Sequence, residues 1–237
     1  MLIDIYTHIF PGNFFDQMSK AAPRLENIGK RMQAVVPVHN LDERFRQMDR
    51  YGDYKQLISL PNPPLEDIMD PETGTFLAGV ANDAMAEECA QNPDRFVGFA
   101  AALCMTDMDK AMEELHRSIK DLGAKGVQIF TNVNGQPLDQ PGYLPLFDAM
   151  AEYDLPIWMH PARGAEMSDY RGEDRGRYEM WWCFGWPYET SVAMTRLVYS
   201  GLFDRHPELK IITHHMGGMI PFFDGRVGPG MDVLGAR

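Results

Sequence analysis

Six alternations of a short apolar run with a helix-patterned stretch predict an α/β fold, a TIM-type (β/α) barrel with about six of its eight βα units present. Three observations carry that reading. The alternation itself argues for parallel strands with helices packed outside them. The length, 237 residues, suits one sizeable core, so a single domain over residues 1–237 is expected. Finally, three apolar runs stop at histidines, at His8, His160 and His214-His215. In a barrel the carboxyl ends of different strands meet at one mouth, which would draw these side chains together although they are remote in sequence.

Leu2–Tyr6 reads as the first strand, with a helical stretch around Phe14–Ala22 after the Pro11-Gly12 turn. Residues 23–40 are irregular and mixed in charge. A helix follows from about Asn40, its N-cap, to Tyr51, with Leu41, Phe45 and Met48 at helical spacing. Tyr54–Leu60 is the second strand, closed by prolines, and Gly74–Gln91 the next helix. Arg95–Ala102 is strand three. Asp107 caps a helix whose Met112, Leu115, Ile119 and Leu122 share a face, and Gly123 ends it. Lys125–Phe130 is strand four, followed by the turn-forming Thr131–Gly135 and a helix over Tyr143–Tyr153. Leu155–Ala162 is too short and too apolar for a helix and reads as a buried parallel strand ending in His160-Pro161. The connection Arg163–Trp186, dense in charge and aromatics, has the length of a functional lid or a disordered segment. A helix over Tyr188–Ser200, strand six at Leu209–Thr213 and a helical start at Met219 complete the pattern. A closed barrel needs eight strands, so the chain reads as an amino-terminal fragment of a longer product.

Composition narrows the function classes. A net charge of -12 with no basic stripe argues against a nucleic-acid partner, and no apolar run approaches the roughly 18 residues of a membrane span. Cys89, Cys104 and Cys183 are odd in number and outside any C-x-x-C pattern, which fits a reducing cytoplasm and no disulfide framework.

Neutral imidazoles converging at a barrel mouth suit a borderline metal such as zinc, with Asp4 able to orient a ligand from behind. Tyr6 stands where a second histidine would complete a first-strand pair, and a phenol of pKa about 10 is a poor ligand. Because side chains alternate along a strand, only one of His214 and His215 should face the mouth. His215, beside Gly217-Gly218, is the candidate general acid or base, with His214 packing nearby. No lysine ends strand four, so one metal is expected rather than a bridged pair. Trp181, Trp182 and Trp186 could wall an aromatic substrate, and Arg163, Arg171, Arg175 and Arg177 could meet its carboxylate.

Seven stretches taken together resemble one family: Asp4-Ile-Tyr-Thr-His8-Ile-Phe-Pro11, Arg46-Gln-Met-Asp49, Asn92-Pro-Asp-Arg-Phe96, Lys125-Gly-Val-Gln128, His160-Pro161, Gly185-Trp-Pro-Tyr-Glu189 and His215-Met-Gly-Gly218-Met-Ile-Pro221. They are similar, in order and spacing, to the amidohydrolase-related (amidohydrolase 2) family, which includes aminocarboxymuconate-semialdehyde and γ-resorcylate decarboxylases. The resemblance implies a metal-dependent hydrolase-like barrel. Its H-x-H pair maps onto Tyr6 and His8, its strand-five ligand onto His160 and its catalytic histidine onto His215; its strand-eight aspartate has no counterpart. An arginine that serves a neighbouring subunit maps onto Arg226, which implies a homodimer. The implied activity is non-oxidative decarboxylation of a small aromatic or muconate-type acid, with one Zn2+ or Mn2+ per subunit and with Trp181, Trp186 and Arg226 contacting substrate. Hydrolysis of a lactone or amide, or a non-catalytic barrel relative, are the alternatives.

Overall fold

The computed structural model describes residues 1–22 and 34–234, in two compact units, Met1–Ile129 and Phe130–Arg237. The irregular stretch expected over residues 23–40 lies largely outside the described residues.

In the first unit β1 (Leu2–His8) pairs in parallel with β2 (Tyr54–Ser59), and β2 with β3 (Phe96–Phe99). The third predicted strand is interrupted at Ala100, and its continuation β4 (Ala101–Ala102) pairs in parallel with β5 (Val127–Phe130). At Gly98, φ is +150° and a Cβ would lie 2.5 Å from Lys125 Cγ, so only glycine lets the backbone pass there. The helices of this unit are α1 (Phe14–Ala21), α2 (Leu41–Met48), the single turn α3 (Leu65–Ile68), α4 (Pro71–Gln91) and α5 (Met108–Lys120). Their starts follow from side-chain capping. Asn40 accepts from Glu43 N at 2.9 Å, Asp70 from Thr73 N at 3.0 Å and Asp107 from Lys110 N at 3.1 Å. On α5 the buried face is Ala111, Leu115 and Ser118, with Met112 and Ile119 half-buried at its flanks, a small rotation from the face predicted. Asn82 of α4, fully buried, bonds both the carbonyl and the amide of Ala102 (2.9 and 2.8 Å) and so satisfies the backbone beside the strand interruption.

One buried acid of this unit sets a pH dependence. Glu66 on α3 accepts from Met105 N at 3.1 Å through one oxygen, while the other is buried with no hydrogen-bond partner among the described residues. Burial pushes its pKa up to about 7. Because the folded value lies above the unfolded one, folding carries no penalty below about pH 4.5, a growing one from there to pH 7, and the full one above. At about 1.4 kcal/mol per unit, the loss by pH 8 is about 3 kcal/mol. Melting curves at pH 5 and pH 8 should show that decline, and Glu66→Gln should largely remove it; equal declines in both proteins would contradict the assignment.

In the second unit β6 (Asn132–Val133) and β7 (Gln136–Pro137) form a short antiparallel hairpin. The parallel pair β8 (Ile157–His160) and β9 (Ile211–Thr213) runs in the register Ile157↔Ile211 to Met159↔Thr213. All four residues of β8 are buried, as its apolar run predicts. Around the pair lie α6 (Leu144–Glu152), α7 (Trp186–Tyr199), α8 (Leu202–Arg205) and α9 (Ile220–Leu234). Leu146, Phe147, Met150, Ile157, Met159 and Leu197 are the interior. Among the described residues no helix is long and apolar enough to cross a membrane.

Candidate active site

His160 ends β8, buried, where the strand presents its last side chain. Its Nδ1 lies 2.9 Å from the Pro161 carbonyl. A carbonyl can only accept, so Nδ1 carries a proton, and in the neutral ring Nε2 holds the lone pair. Thr131 N donates to the His160 carbonyl at 3.0 Å, and Thr131 Oγ1 accepts from Ala162 N at 2.9 Å, which fixes the chain on both sides of the ring.

His214 follows β9 directly and is also buried. Its Nδ1 lies 3.1 Å from the Met159 carbonyl, which sets the same tautomer, with the lone pair on Nε2. Burial lowers its pKa to about 4, opposed by the Met159 carbonyl and aided by His215, so the ring is neutral at pH 7. The His160 and His214 rings are 4.6 Å apart, and a ligand nitrogen of one lies within 4.8 Å of one from the other.

His215 does not turn away. Its ring stands edge-on to His160 at 5.4 Å and stacks on Trp186 at 5.5 Å with the planes 27° apart. Strict alternation would have sent His214 and His215 to opposite sides, and that expectation is corrected here. Alternation holds only in extended backbone, and β9 stops at Thr213; His215 and Met216 take φ of +54° and +57°. The left-handed turn brings both imidazoles beside His160. Gly218 allows the turn to close: at φ +64° a Cβ would lie 2.5 Å from the Pro187 carbonyl at the start of α7. One face of the His215 ring is desolvated, which lowers its pKa, while the residue as a whole remains exposed.

Trp186 donates from Nε1 to the Arg163 carbonyl at 3.0 Å and meets the His160 ring edge-on at 5.3 Å. Trp181, 6.0 Å away, is 3% exposed and so backs Trp186 rather than offering a face of its own; Trp182 is the exposed member of the cluster. Arg163 pairs with Glu189 at 2.9 Å, which already commits that guanidinium. Arg226 is exposed on α9 and lines a cavity of about 580 Å³ with Tyr188, Thr195, Tyr199 and Phe223; none of the three clustered histidines lines it.

In the first unit, His8 ends β1 with Nδ1 3.1 Å from Ser59 Oγ. That hydroxyl also lies 3.4 Å from the Thr7 carbonyl; when it donates there it accepts from His8 Nδ1, and the neutral ring then keeps its lone pair on Nε2. Asp4 is not the group behind His8. Its carboxylate takes the Tyr54 hydroxyl at 2.8 Å and the Tyr6 amide at 3.0 Å, and the pairing of β1 slips between Asp4 and Thr7. Tyr6 is 44% exposed, and burial of part of its ring raises its pKa, which keeps the phenol neutral.

The amidohydrolase family model matches residues 3–234. This chain belongs to the amidohydrolase family. Among amidohydrolase relatives, γ-resorcylate decarboxylase of Rhizobium sp. (strain MTP-10005) is 39% identical over 192 residues, covering 78% of this chain. The chain spans only 58% of that relative's length. A crystal structure of 2,6-dihydroxybenzoate decarboxylase with bound 2,6-dihydroxybenzoate superposes with a TM-score of 0.78 at 32% identity, over 95% of this chain and 70% of that one. A dihydroxybenzoic acid decarboxylase from Polaromonas sp. JS666, with manganese and 2-nitroresorcinol bound, gives a TM-score of 0.78 at 30% identity, over 95% and 68%. The α/β fold is therefore that of the TIM-barrel decarboxylases of the amidohydrolase family, over about 70% of their length.

Proposed function

We propose that the chain is a metal-dependent, non-oxidative decarboxylase of a small aromatic or muconate-type carboxylic acid. The observation that carries this reading is the cluster of imidazoles in the second unit, buried His160 and His214 with exposed His215 beside them, next to the Trp186 ring. Family membership supports it, since the similar relatives are decarboxylases of aromatic acids.

His160 and His214 are the proposed ligands of one Mn2+ or Zn2+ ion, with His8, the position to which the family resemblance gives a ligand, as the third; Nδ1 of His160 and of His214 meets a backbone carbonyl, which makes Nε2 the coordinating atom. Neutral nitrogen donors suit such an ion, and His214 takes up the ligand duty that the Tyr6 phenol performs poorly. A bound ion would supply Lewis-acid attraction for the substrate's carboxylate and the oxygen next to it. The protein does the rest. Trp186 offers a flat wall against which an aromatic ring is oriented, and its own bond to the Arg163 carbonyl keeps that wall in place. As the bond to the departing carbon dioxide breaks, the electron pair stays on the ring carbon, and His215, as the imidazolium, delivers a proton there and is left as the neutral imidazole. Its exposed side lets it exchange that proton with water. Arg226, remote from these rings in the lining of its own cavity, is assigned to substrate in a homodimer's neighbouring site.

The test is to incubate the Mn2+-supplemented chain with 2,6-dihydroxybenzoate and related carboxylated phenols while following carbon dioxide and the phenol together. Equimolar release of both is expected. Turnover of lactones or amides without carbon dioxide would replace the reading with a hydrolase, and no turnover with either would replace it with a non-catalytic relative.

A further inference from the structure

A buried guanidinium stands behind the end of β1. Arg44 on α2 is 5% exposed, and its donors reach three separate segments. Nε bonds the Pro37 carbonyl at 2.9 Å, Nη1 bonds Gln56 Oε1 on β2 at 2.6 Å, and Nη2 bonds the carbonyl of His8. From Gln56 the chain of bonds continues through Nε2 to the Tyr54 hydroxyl (3.1 Å) and from that hydroxyl to Asp4 (2.8 Å). Asp4 thus reaches His8 only at four removes. Burial lowers the Arg44 pKa to about 10, opposed by Tyr54 and Asp4, which leaves it charged at neutral pH.

The location gives this network its meaning. The β1–β2 ladder slips between Asp4 and Thr7 and resumes only for Thr7↔Ile58 and His8↔Ser59, so the segment that carries His8 is a short tail beyond a bulge. Just beyond it the main chain is tied by Ile9 N to the Ser59 carbonyl and by Phe10 N to the Val38 carbonyl, both at 2.9 Å, which leaves the His8 carbonyl itself for a side-chain partner. Arg44 holds the main chain at the His8 carbonyl, while Ser59 holds the ring at Nδ1. A buried charge is a poor device for stability alone, because well-packed apolar side chains often do as well. A rigid fork that bonds three segments at once is a good device for fixing geometry.

We infer that Arg44 is a positioning residue for metal binding, aiming the His8 imidazole by clamping its carbonyl. This rests on the proposed reading of His8 as a ligand. The experiment uses the full chain and titrates Mn2+ by electron paramagnetic resonance into wild type, Arg44→Lys, Arg44→Met, His8→Ala and the Arg44→Met/His8→Ala double variant, with the metal-free melting temperature of each recorded. Arg44→Lys and Arg44→Met should weaken Mn2+ binding by about 10- to 100-fold, the range found for groups that orient metal ligands. The double variant should bind no more weakly than His8→Ala alone, because the arginine acts through that histidine. If Arg44→Met does not fold, Arg44→Lys, which keeps the charge and much of the volume, carries the test. A folded Arg44→Lys protein with wild-type affinity overturns the inference, as do losses that multiply in the double variant. Wild-type affinity in His8→Ala fails at an earlier point, removing the ligand reading and the inference with it.

Discussion

Replacing His160 by alanine is expected to abolish metal retention and, with it, turnover. The ring sits at the centre of the cluster, 4.6 Å from His214 and 5.4 Å from His215, so its loss removes one nitrogen donor and opens a gap between the other two. Orienting groups around a ligand are worth about 10- to 100-fold in affinity, and loss of a ligand itself should exceed that. Metal analysis after Mn2+ supplementation and desalting should fall from near one equivalent to below about a tenth, with carbon dioxide release at background. His160→Ala protein that keeps its metal would mean that the ion binds elsewhere.

Replacing His215 by asparagine should separate chemistry from binding. The ring touches His160 and Trp186 and is exposed, and the proposed mechanism uses it as a proton donor rather than a ligand. The expected result is a kcat lower by about 10²- to 10⁴-fold, the usual contribution of a general acid or base, with Mn2+ affinity within a few-fold of wild type. A variant that instead lost its metal while its residual metal-bound fraction turned over normally would reassign His215 as a ligand.

Much of this architecture is legible in the sequence, and the failures have physical causes. The apolar run of β8, the caps at Asn40 and Asp107 and the alternation of elements can be read because each depends on local chemistry that neighbours do not override. The start of α4 at Pro71, ahead of the expected Gly74, has a readable signal, the Asp70-Pro71 cap and first-turn pair. The β6–β7 hairpin also has one, since Asn134-Gly135, at φ of +49° and +77°, is the preferred pair for its tight turn. The two errors at the site are of another kind. His214 is misplaced by counting alternate residues across the point where the strand stops, and a side-chain period of two says nothing there; Asp4 is instead taken up by Tyr54 and the Tyr6 amide. The glycine pair after His215 was the available hint that extended backbone ends at Thr213.

In the proposed site, imidazole nitrogens from separate strand ends bind a single ion. Electron spin-echo envelope modulation of Mn2+ bound to the full chain measures this directly, because nitrogen nuclei on the ion give characteristic couplings. Histidine nitrogen couplings in wild type, unchanged in His215→Asn and lost together with the bound ion in His160→Ala, are the predicted result. A bound ion whose spectrum shows only oxygen ligands and water would contradict it.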